Sequence, residues 1–286
     1  MVPITFCLDD IISGYILIDA VHSAHLPGFE ELPVFPCIPH DLTNISNLMP
    51  VLTDVATLSV DQIQAVRQMI RMQEIGLSPP TICAILISDA GVKDIAEQIS
   101  KFLSAMDEMG SSVYWRFFDP RVFSITWSVF SAEQRRALLG SIRQWRFPWC
   151  GHWWGAQEEC DGTDYSLEII KGFPTPEQWP TVKLSRQVDQ ILQRVKNEKN
   201  LETCEWASIQ RSAIKFLIEA SETLHLEEDE ELIDFVLMEI KYGKSFKSHP
   251  AFIATVGDLS SGKVRWFSFK KRLDMIRVGA FEMQNF

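Results

Sequence analysis

One continuously apolar stretch, Thr81–Ile87 (TICAILI), constrains the fold more strongly than any other part of the chain. Apolar runs of this length are typical of strands that helices cover on both faces. The residues on either side have helical periodicity, with apolar side chains at spacings of three and four from Ile63 to Ile70 and from Val92 to Met106. The sequence therefore predicts a buried strand between two helices.

Three further segments are rich in β-forming residues and are predicted strands: Tyr15–Val21 (YILIDAV), Val51–Leu58 and Val113–Phe118. Strands and helices therefore alternate through the N-terminal half. Such alternation is typical of α/β units with parallel strand pairs. The predicted fold class is an α/β N-terminal lobe with largely parallel pairing, followed by a mainly α-helical C-terminal lobe.

The domain organisation follows from the length and from a change in composition. A chain of 286 residues exceeds the usual size of a single core. Residues 1–147 are predicted to form the α/β lobe, and residues 183–286, where helical periodicity dominates, the helical lobe. The intervening residues 148–182 are rich in Trp, Pro and Gly, and are predicted to be an irregular connection with one strand at Tyr165–Ile170.

Composition and charge narrow the class of protein. With 46% hydrophobic residues the chain is expected to fold, and a formal charge of -11 argues against nucleic-acid binding, which needs clustered Lys and Arg. No apolar stretch approaches the length of a membrane span, and no signal segment is visible at the N-terminus. The six cysteines form no CxxC pair, as expected for free thiols in a reducing compartment. We expect a cytoplasmic protein without a membrane or nucleic-acid partner.

The segment Trp115–Phe123 (WRFFDPRVF) breaks an aromatic run abruptly at Asp119. Asp is a good helix N-cap, and Pro120 suits the first helical turn because its φ is fixed and it lacks an N–H. The break is therefore predicted to be a switch from strand to helix. Asp119 and Arg121 are expected to be a cap and a local ion pair, because no partner of matched chemistry for acid–base catalysis lies nearby in sequence.

Two capping boxes predict the starts of further helices. Ser59 is followed three positions later by Gln62, and Ser131 by Gln134. In such a box the hydroxyl and the amide each satisfy a backbone N–H at the helix start.

The run VYWRFFDPRVF, followed by SAEQRRALLGSIRQW, resembles the hallmark region of the type VI secretion effector chaperones or adaptors, also called Tap or Tec proteins. The early YILIDA resembles a strand of the same family, although Val21 stands where that family more often has a small or polar residue. The resemblance covers about residues 15–147. It rests mainly on one block: Arg116, Phe117, Asp119, Pro120 and Arg121.

This resemblance implies a cytoplasmic protein that is not an enzyme and needs no cofactor. It implies that the chain binds one toxic effector, by the effector's N-terminal segment, and promotes its loading onto the VgrG spike protein. The block of motif residues is expected to shape the lobe more than to touch a ligand.

Five tryptophans crowd into a short part of the sequence and are candidate partner-binding residues, because large rings are favoured at interfaces. One interpretation is that they line an effector groove between the lobes; the alternative is that they seal one lobe against the other. These residues are Trp145, Trp149, Trp153, Trp154 and Trp179.

Gly257–Val264 (GDLSSGKV) contains the spacing of a phosphate-binding loop and raises the alternative of a nucleotide-dependent enzyme. Val264 stands where such loops carry a Ser or Thr for magnesium. A hairpin turn between strands Phe252–Val256 and Val264–Phe269 is the favoured interpretation of this segment.

A second alternative function for the chain is that of an immunity protein, which neutralises a toxin.

Cys150, His152 and Cys160 lack the paired short spacing of structural zinc sites, so no metal is expected there. The sequence also contains no HExxH or GxSxG motif, and no catalytic residue is predicted.

Overall fold

The computed structural model describes residues 1–6, 13–23, 28–74, 80–157, 172–198 and 201–271. Contacts among these residues divide the chain into two compact units, Met1–Lys183 and Leu184–Phe286. The described residues 148–157 and 172–182, for which the sequence predicts a connection, lie in the N-terminal unit.

Seven strands of the N-terminal unit form one sheet in the order β1-β9-β8-β5-β2-β4-β3. These strands are β1 (Val2–Ile4), β2 (Tyr15–Ile18), β3 (Phe35–Pro36), β4 (Val51–Asp54), β5 (Ile82–Ser88), β8 (Ile142–Trp149) and β9 (His152–Gln157). A separate two-stranded sheet contains β6 (Ser104–Met106) and β7 (Ser112–Tyr114).

Helices and short 3-10 turns connect these strands. The α-helices of the N-terminal unit are α1 (Ala20–Ser23), α2 (Val60–Glu74), α3 (Val92–Leu103), α4 (Pro120–Val129), α5 (Ala132–Leu139) and α6 (Trp179–Lys183). The 3-10 turns are Thr43–Leu48 and Val55–Thr57. Both predicted capping boxes are confirmed, since each Ser hydroxyl accepts from the Gln backbone N–H and each Gln amide oxygen accepts from the Ser N–H.

The prediction of largely parallel pairing is wrong. Every strand pair in the described part of the chain is antiparallel. The crossover from β4 through α2 to β5 does return the chain in the same direction, but β2 lies between the two strands and pairs antiparallel with both. Alternation of strands and helices indicated the crossover, whereas it contained no information about the strand inserted within it.

The β8–β9 hairpin extends into residues 148–157, where the sequence predicts an irregular connection. Trp145, Phe147 and Trp149 alternate along β8, as expected for a strand with one buried face. The two strands are joined by Cys150 and Gly151, with φ of 54° and 79°. Positive φ at both central residues is typical of the tight turns that connect antiparallel strands. Pro148, Gly151 and Gly155 therefore belong to a hairpin of the main sheet.

Of two other predicted strands, one is shorter in the structure and the other lies outside the described residues. The strand predicted at Val113–Phe118 ends at Tyr114, and β7 belongs to the small sheet. Residues up to Asp119 instead form a bend that leads into α4. The strand predicted at Tyr165–Ile170 lies outside the described residues.

Apolar side chains cover both faces of the main sheet. On one face Ile16, Ile85 and Trp153 pack with Val66 and Ile70 of α2. Adjacent residues of a strand point to opposite faces, so Leu86 and its cross-strand neighbour Trp145 lie on the other one.

On that second face the rings form a chain of aromatic contacts. Phe123 of α4 stacks on Trp145 with centroids 4.7 Å apart, and Phe117 links Trp145 to Phe102 of α3. Burial of these rings fixes α3 and α4 on this face of the sheet.

Both edge strands of the main sheet contain a proline, Pro3 in β1 and Pro36 in β3. Proline has no N–H to donate to a further strand, and its presence limits pairing with another chain at each edge.

The C-terminal unit is helical, as its helical periodicity predicted. Its α-helices are α7 (Ser185–Glu198), α8 (Trp206–Leu224), α9 (Asp229–Tyr242), α10 (Lys244–Lys247) and α11 (Pro250–Ser260), with a 3-10 turn at Thr203–Glu205 and a further helical segment at 266–271. Within the described ranges, no helix combines the length and the apolar character needed to cross a bilayer.

The hairpin predicted within residues 252–269 is wrong, because α11 contains the whole of the first predicted strand and a helical segment from residue 266 contains most of the second. Gly262 adopts φ of 70° just past α11. The backbone N–H groups of Lys263 and Val264 then donate to the Asp258 carbonyl over 2.9 and 3.2 Å. This geometry is a left-handed helix end, which glycine favours. The sequence Ser-Gly-Lys does form a turn, but it is one that ends a helix.

Candidate functional site

Asp19 is a buried carboxylate at the carboxyl end of β2. Asp19 as a whole is 1% exposed, and its backbone N–H donates to the Thr81 carbonyl over 2.8 Å. One carboxylate oxygen accepts from the backbone N–H of Val21 over 3.0 Å, at the start of α1. A buried charge is costly unless it is paired, so the partners of Asp19 determine whether this strand end is stable.

Arg116 supplies the main countercharge to Asp19. Its Nη2 donates to Oδ2 of Asp19 and lies 3.9 Å from Oδ2 of Asp119. The guanidinium also lies over the Phe118 ring, 5.4 Å from its centroid. The side chain of Arg116 is 30% exposed, so the pair joins a buried acid to a group at the surface.

Asp119 is the N-cap of α4, as the sequence predicted. Its Oδ1 accepts from the backbone N–H of Arg121 over 3.0 Å and from the Nε of Arg121 over 2.9 Å. Its Oδ2 accepts from the Nη2 of Arg121 over 2.6 Å. Pro120 is the first residue of the helix. Both the cap and the local ion pair are confirmed.

His22 completes the arrangement. Its Nδ1 lies 2.6 Å from Oδ2 of Asp19, and its side chain is 30% exposed. We refer to Asp19, His22, Arg116, Asp119 and Arg121 as the motif cluster.

Sequence reasoning missed Asp19 and His22 as site residues. The available signal was an acidic residue directly after an apolar strand, in the same YILIDA segment that carries the family resemblance.

The charges of the motif cluster favour a structural role. Its two carboxylates face two guanidinium groups, so the charge is compensated within the cluster. The nearby Cys83 is fully buried, and burial raises the pKa of its thiol, with a further rise from the carboxylates of Asp19 and Asp119 that the two arginines oppose. A thiol with a raised pKa stays protonated and is a poor nucleophile. The cluster can join β2 to the start of α4, but this thiol supplies no reactive centre.

Phe117 lies on the buried side of the same segment and is 1% exposed. Its ring makes edge contacts with Phe102 and Phe118 and a tilted contact with Trp145. The segment Arg116–Arg121 therefore contributes charged groups to the motif cluster and two rings, Phe117 and Phe118, to the core.

The motif cluster lies within a segment of the chain that matches a known family model. Residues 15–137 match the family model described as a domain of unknown function, DUF4123. The match spans less than half of the chain and contains the whole motif cluster. DUF4123 is associated with adaptors of type VI secretion effectors. Searches of curated proteins and of solved structures each found no match.

All five candidate tryptophans lie beyond the DUF4123 match and in the core of the N-terminal unit, each at most 6% exposed. Trp149 packs edge-on against Trp154, and Trp179 against Trp115. Trp153 stacks on Phe6 and donates its indole N–H to Glu74 over 3.1 Å. Partner binding by these rings stays a prediction, and it would require them to become exposed.

The rival sites lie outside the DUF4123 match as well. Gly257 belongs to the interior of α11, so Gly257–Lys263 does not form a loop between a strand and a helix, as phosphate binding of that type needs. Among the described residues no group of three or more His, Cys, Asp or Glu side chains could hold a metal ion. Cys160 lies outside the described residues.

Proposed function

We propose that this chain is a cytoplasmic adaptor that binds a type VI secretion effector and promotes its loading onto the VgrG spike. The proposal is supported by the DUF4123 match at residues 15–137 and by the association of that family with effector adaptors. The effector's N-terminal segment is the proposed contact. The adaptor is not an enzyme and acts through protein–protein contacts alone.

The ion pair between Asp19 and Arg116 carries the proposal. These residues are 97 positions apart and belong to the two segments, YILIDA and WRFFDPRVF, that resemble the adaptor family. A contact between the two segments indicates that they form one structural element, which gives the resemblance a physical basis. A fixed, charge-compensated element of this kind suits a scaffold that presents a surface to another polypeptide.

Co-purification tests the proposal. The full chain with an affinity tag is expressed together with one effector and one VgrG from the same bacterium, in pairs and all three together. The adaptor function predicts that the effector is retained by the tagged chain, and that VgrG retains more effector when the chain is present. Retention of effector by VgrG that is unaffected by the chain would contradict it.

A further inference from the structure

A groove with a volume of about 670 Å³ lies between the edge strand β3 and helix α3. One wall comprises residues from Phe35 to Asp41, and the other comprises residues of α3 together with Ser104, which follows it. Val34 and Phe35, at the rim of the sheet, are 41% and 38% exposed. The groove has the volume of a typical ligand site, and the apolar part of its β3 wall lies beside the exposed His40 and Asp41.

The helical wall runs along the whole of α3. The residues on it recur at helical spacing and form a row of small side chains, with a row of charged ones beside it. The small residues are Ala96, Ser100 and Ser104, and the charged ones are Lys93, Glu97 and Lys101. From Lys93 to Ser104 the wall is about 16 Å long at 1.5 Å per residue. That length fits about five residues of extended chain at roughly 3.3 Å each.

The two serine hydroxyls of the groove are already hydrogen-bonded within the chain. The Ser100 hydroxyl donates to the Ala96 carbonyl over 2.7 Å, and the Ser104 hydroxyl donates to Asp41 over 2.6 Å. The charged row differs, since Lys93, Glu97 and Lys101 are exposed and form no ion pair with other residues in the part of the chain described. All three charges are accessible to a ligand, and the Nζ of Lys101 also lies over the Phe102 ring, 5.3 Å from its centroid.

The spacing of these charges matches an extended peptide. Positive, negative and positive groups follow one another every four residues of α3, which is about 6 Å along the helix. Every second side chain of a strand lies on the same face, about 6.6 Å apart. A strand with acidic, basic and acidic residues at alternate positions would therefore meet Lys93, Glu97 and Lys101 in register. Its intervening side chains would face the apolar wall.

Strand β3, on the other wall, favours recognition of a ligand through its side chains. Pro36 has no N–H, and the N–H of Cys37 already donates to the Pro50 carbonyl over 3.0 Å, toward β4. A ligand strand therefore finds few donors on β3 for main-chain pairing. Charge and apolar pattern would determine which segments bind.

We propose that the groove between β3 and α3 binds an extended segment of a partner polypeptide, with two carboxylates four positions apart at Lys93 and Lys101 and apolar side chains against Phe35 and Ile38. This inference rests on the proposed function in taking the effector as that partner. It adds the place of contact and the chemistry of the segment.

The test uses the full chain and two capped synthetic peptides of nine residues. The first has acidic, apolar, basic, apolar and acidic residues at its centre, and in the second every charge is reversed. Binding is measured by fluorescence anisotropy, and the contact is located by NMR chemical shifts. The variant carries Lys93→Glu and Lys101→Glu together. Arg71→Glu and Lys196→Glu together, two exposed charge reversals on α2 and α7 that change the net charge by the same amount, are the matched control.

The wild-type chain and the control should prefer the first peptide, with shifts at the groove. The double variant should lose at least about tenfold of that preference, since two exposed charge pairs become repulsive. Its thermal unfolding should change only slightly, because both lysines are exposed and Lys101 loses only a surface contact with the Phe102 ring and its position in the last turn of α3. Equal affinity for both peptides, no binding at millimolar concentration, shifts outside the groove, or a preference that survives in the variant would each overturn the inference.

A delivery assay separates this inference from the proposed function. If the double variant delivers the effector normally while a strain lacking the chain does not, the groove inference fails and the adaptor function stands. If the strain lacking the chain delivers normally, the adaptor function fails whatever the peptides do.

Discussion

Arg116 donates to Asp19 across 97 positions of sequence and joins the end of strand β2 to the segment that begins helix α4. Asp19 is almost completely buried, whereas Arg116 reaches the surface. The strand end and the helix start therefore depend on one another, because each supplies the group that the other needs.

Removal of Arg116 should destabilise the N-terminal unit. Arg116→Ala leaves a buried carboxylate without its main countercharge, which should lower the free energy of unfolding by about 1–3 kcal/mol. Urea unfolding followed by tryptophan fluorescence measures the loss. Arg143→Ala is the control, because Arg143 pairs with Asp89 at 2.9 Å where both side chains are exposed, and such pairs contribute little. Equal losses in the two variants would contradict a structural role for Arg116.

Asp119 should contribute separately as a helix cap. Asp119→Ala should cost about 1–2 kcal/mol, because α4 loses its N-cap and Arg121 its partner. Asp119→Asn keeps the acceptor for the backbone N–H of Arg121 and should cost less. Asp54, a half-buried residue whose side chain caps a three-residue 3-10 turn, provides the comparison through Asp54→Ala. A loss at Asp119 no larger than the loss at Asp54 would argue against the cap.

The two glycines of GDLSSGKV should respond to substitution with opposite signs. Gly257 lies in the interior of α11 with open space around it, so Gly257→Ala should stabilise the C-terminal unit by about 0.5–1 kcal/mol. Gly262 has a positive φ, so Gly262→Ala should destabilise it by about 1 kcal/mol. Thermal unfolding of the two variants gives both signs.

Lys263→Ala extends this comparison to function. It should leave effector loading unchanged, because Lys263 follows a helix end and not a phosphate-binding loop. Measurable ATP binding that the substitution abolishes would favour the nucleotide-dependent enzyme.

Cys83 should resist thiol reagents in the folded chain. Burial raises the pKa of its thiol, and the exposed Cys204 should react far faster. Alkylation followed by mass spectrometry of individual peptides distinguishes the two. Labelling of Cys83 at the rate of Cys204 would show that the thiol is accessible.

The same thiol predicts how stability changes at high pH. In the unfolded chain Cys83 ionises near its ordinary pKa of 9.0, whereas in the folded chain it stays protonated. The folded state then binds more protons, and the stability present below pH 9 falls as the pH rises above that value. Cys83→Ala should flatten this slope in urea unfolding measured from pH 8 to pH 10. An unchanged slope would indicate another titrating group.

Local chemistry explains which parts of the fold were predictable from sequence. Asp119 followed by proline and Ser131 followed by glutamine both specify a helix start within four residues, and the structure has both. The insertion of β2 between β4 and β5 depends on long-range pairing that no local pattern encodes. The Cys150–Gly151 turn was missed because its glycine also suits an irregular loop.

In the candidate site, too, the local contacts could be predicted from sequence and the long-range contacts could not. The cap and the ion pair of Asp119 could be predicted because both partners lie within two residues of each other. The role of Asp19 could not, since its partner Arg116 is distant in sequence. The groove residues Lys93, Glu97 and Lys101 could not be predicted as a site for another reason. Solvent-exposed charges on a helix are common, and it is the opposite wall that makes these three part of a groove.

Effector delivery by a bacterium lacking this chain is the most direct test of the adaptor function. The effector is measured in the medium and in competing target cells, with its total amount inside the producer as the control and the wild-type chain as complementation. The adaptor account predicts that delivery is lost while synthesis continues, and that complementation restores it. Delivery at the wild-type level, or a deletion whose only effect is that the producer becomes sensitive to the toxin, would contradict the account.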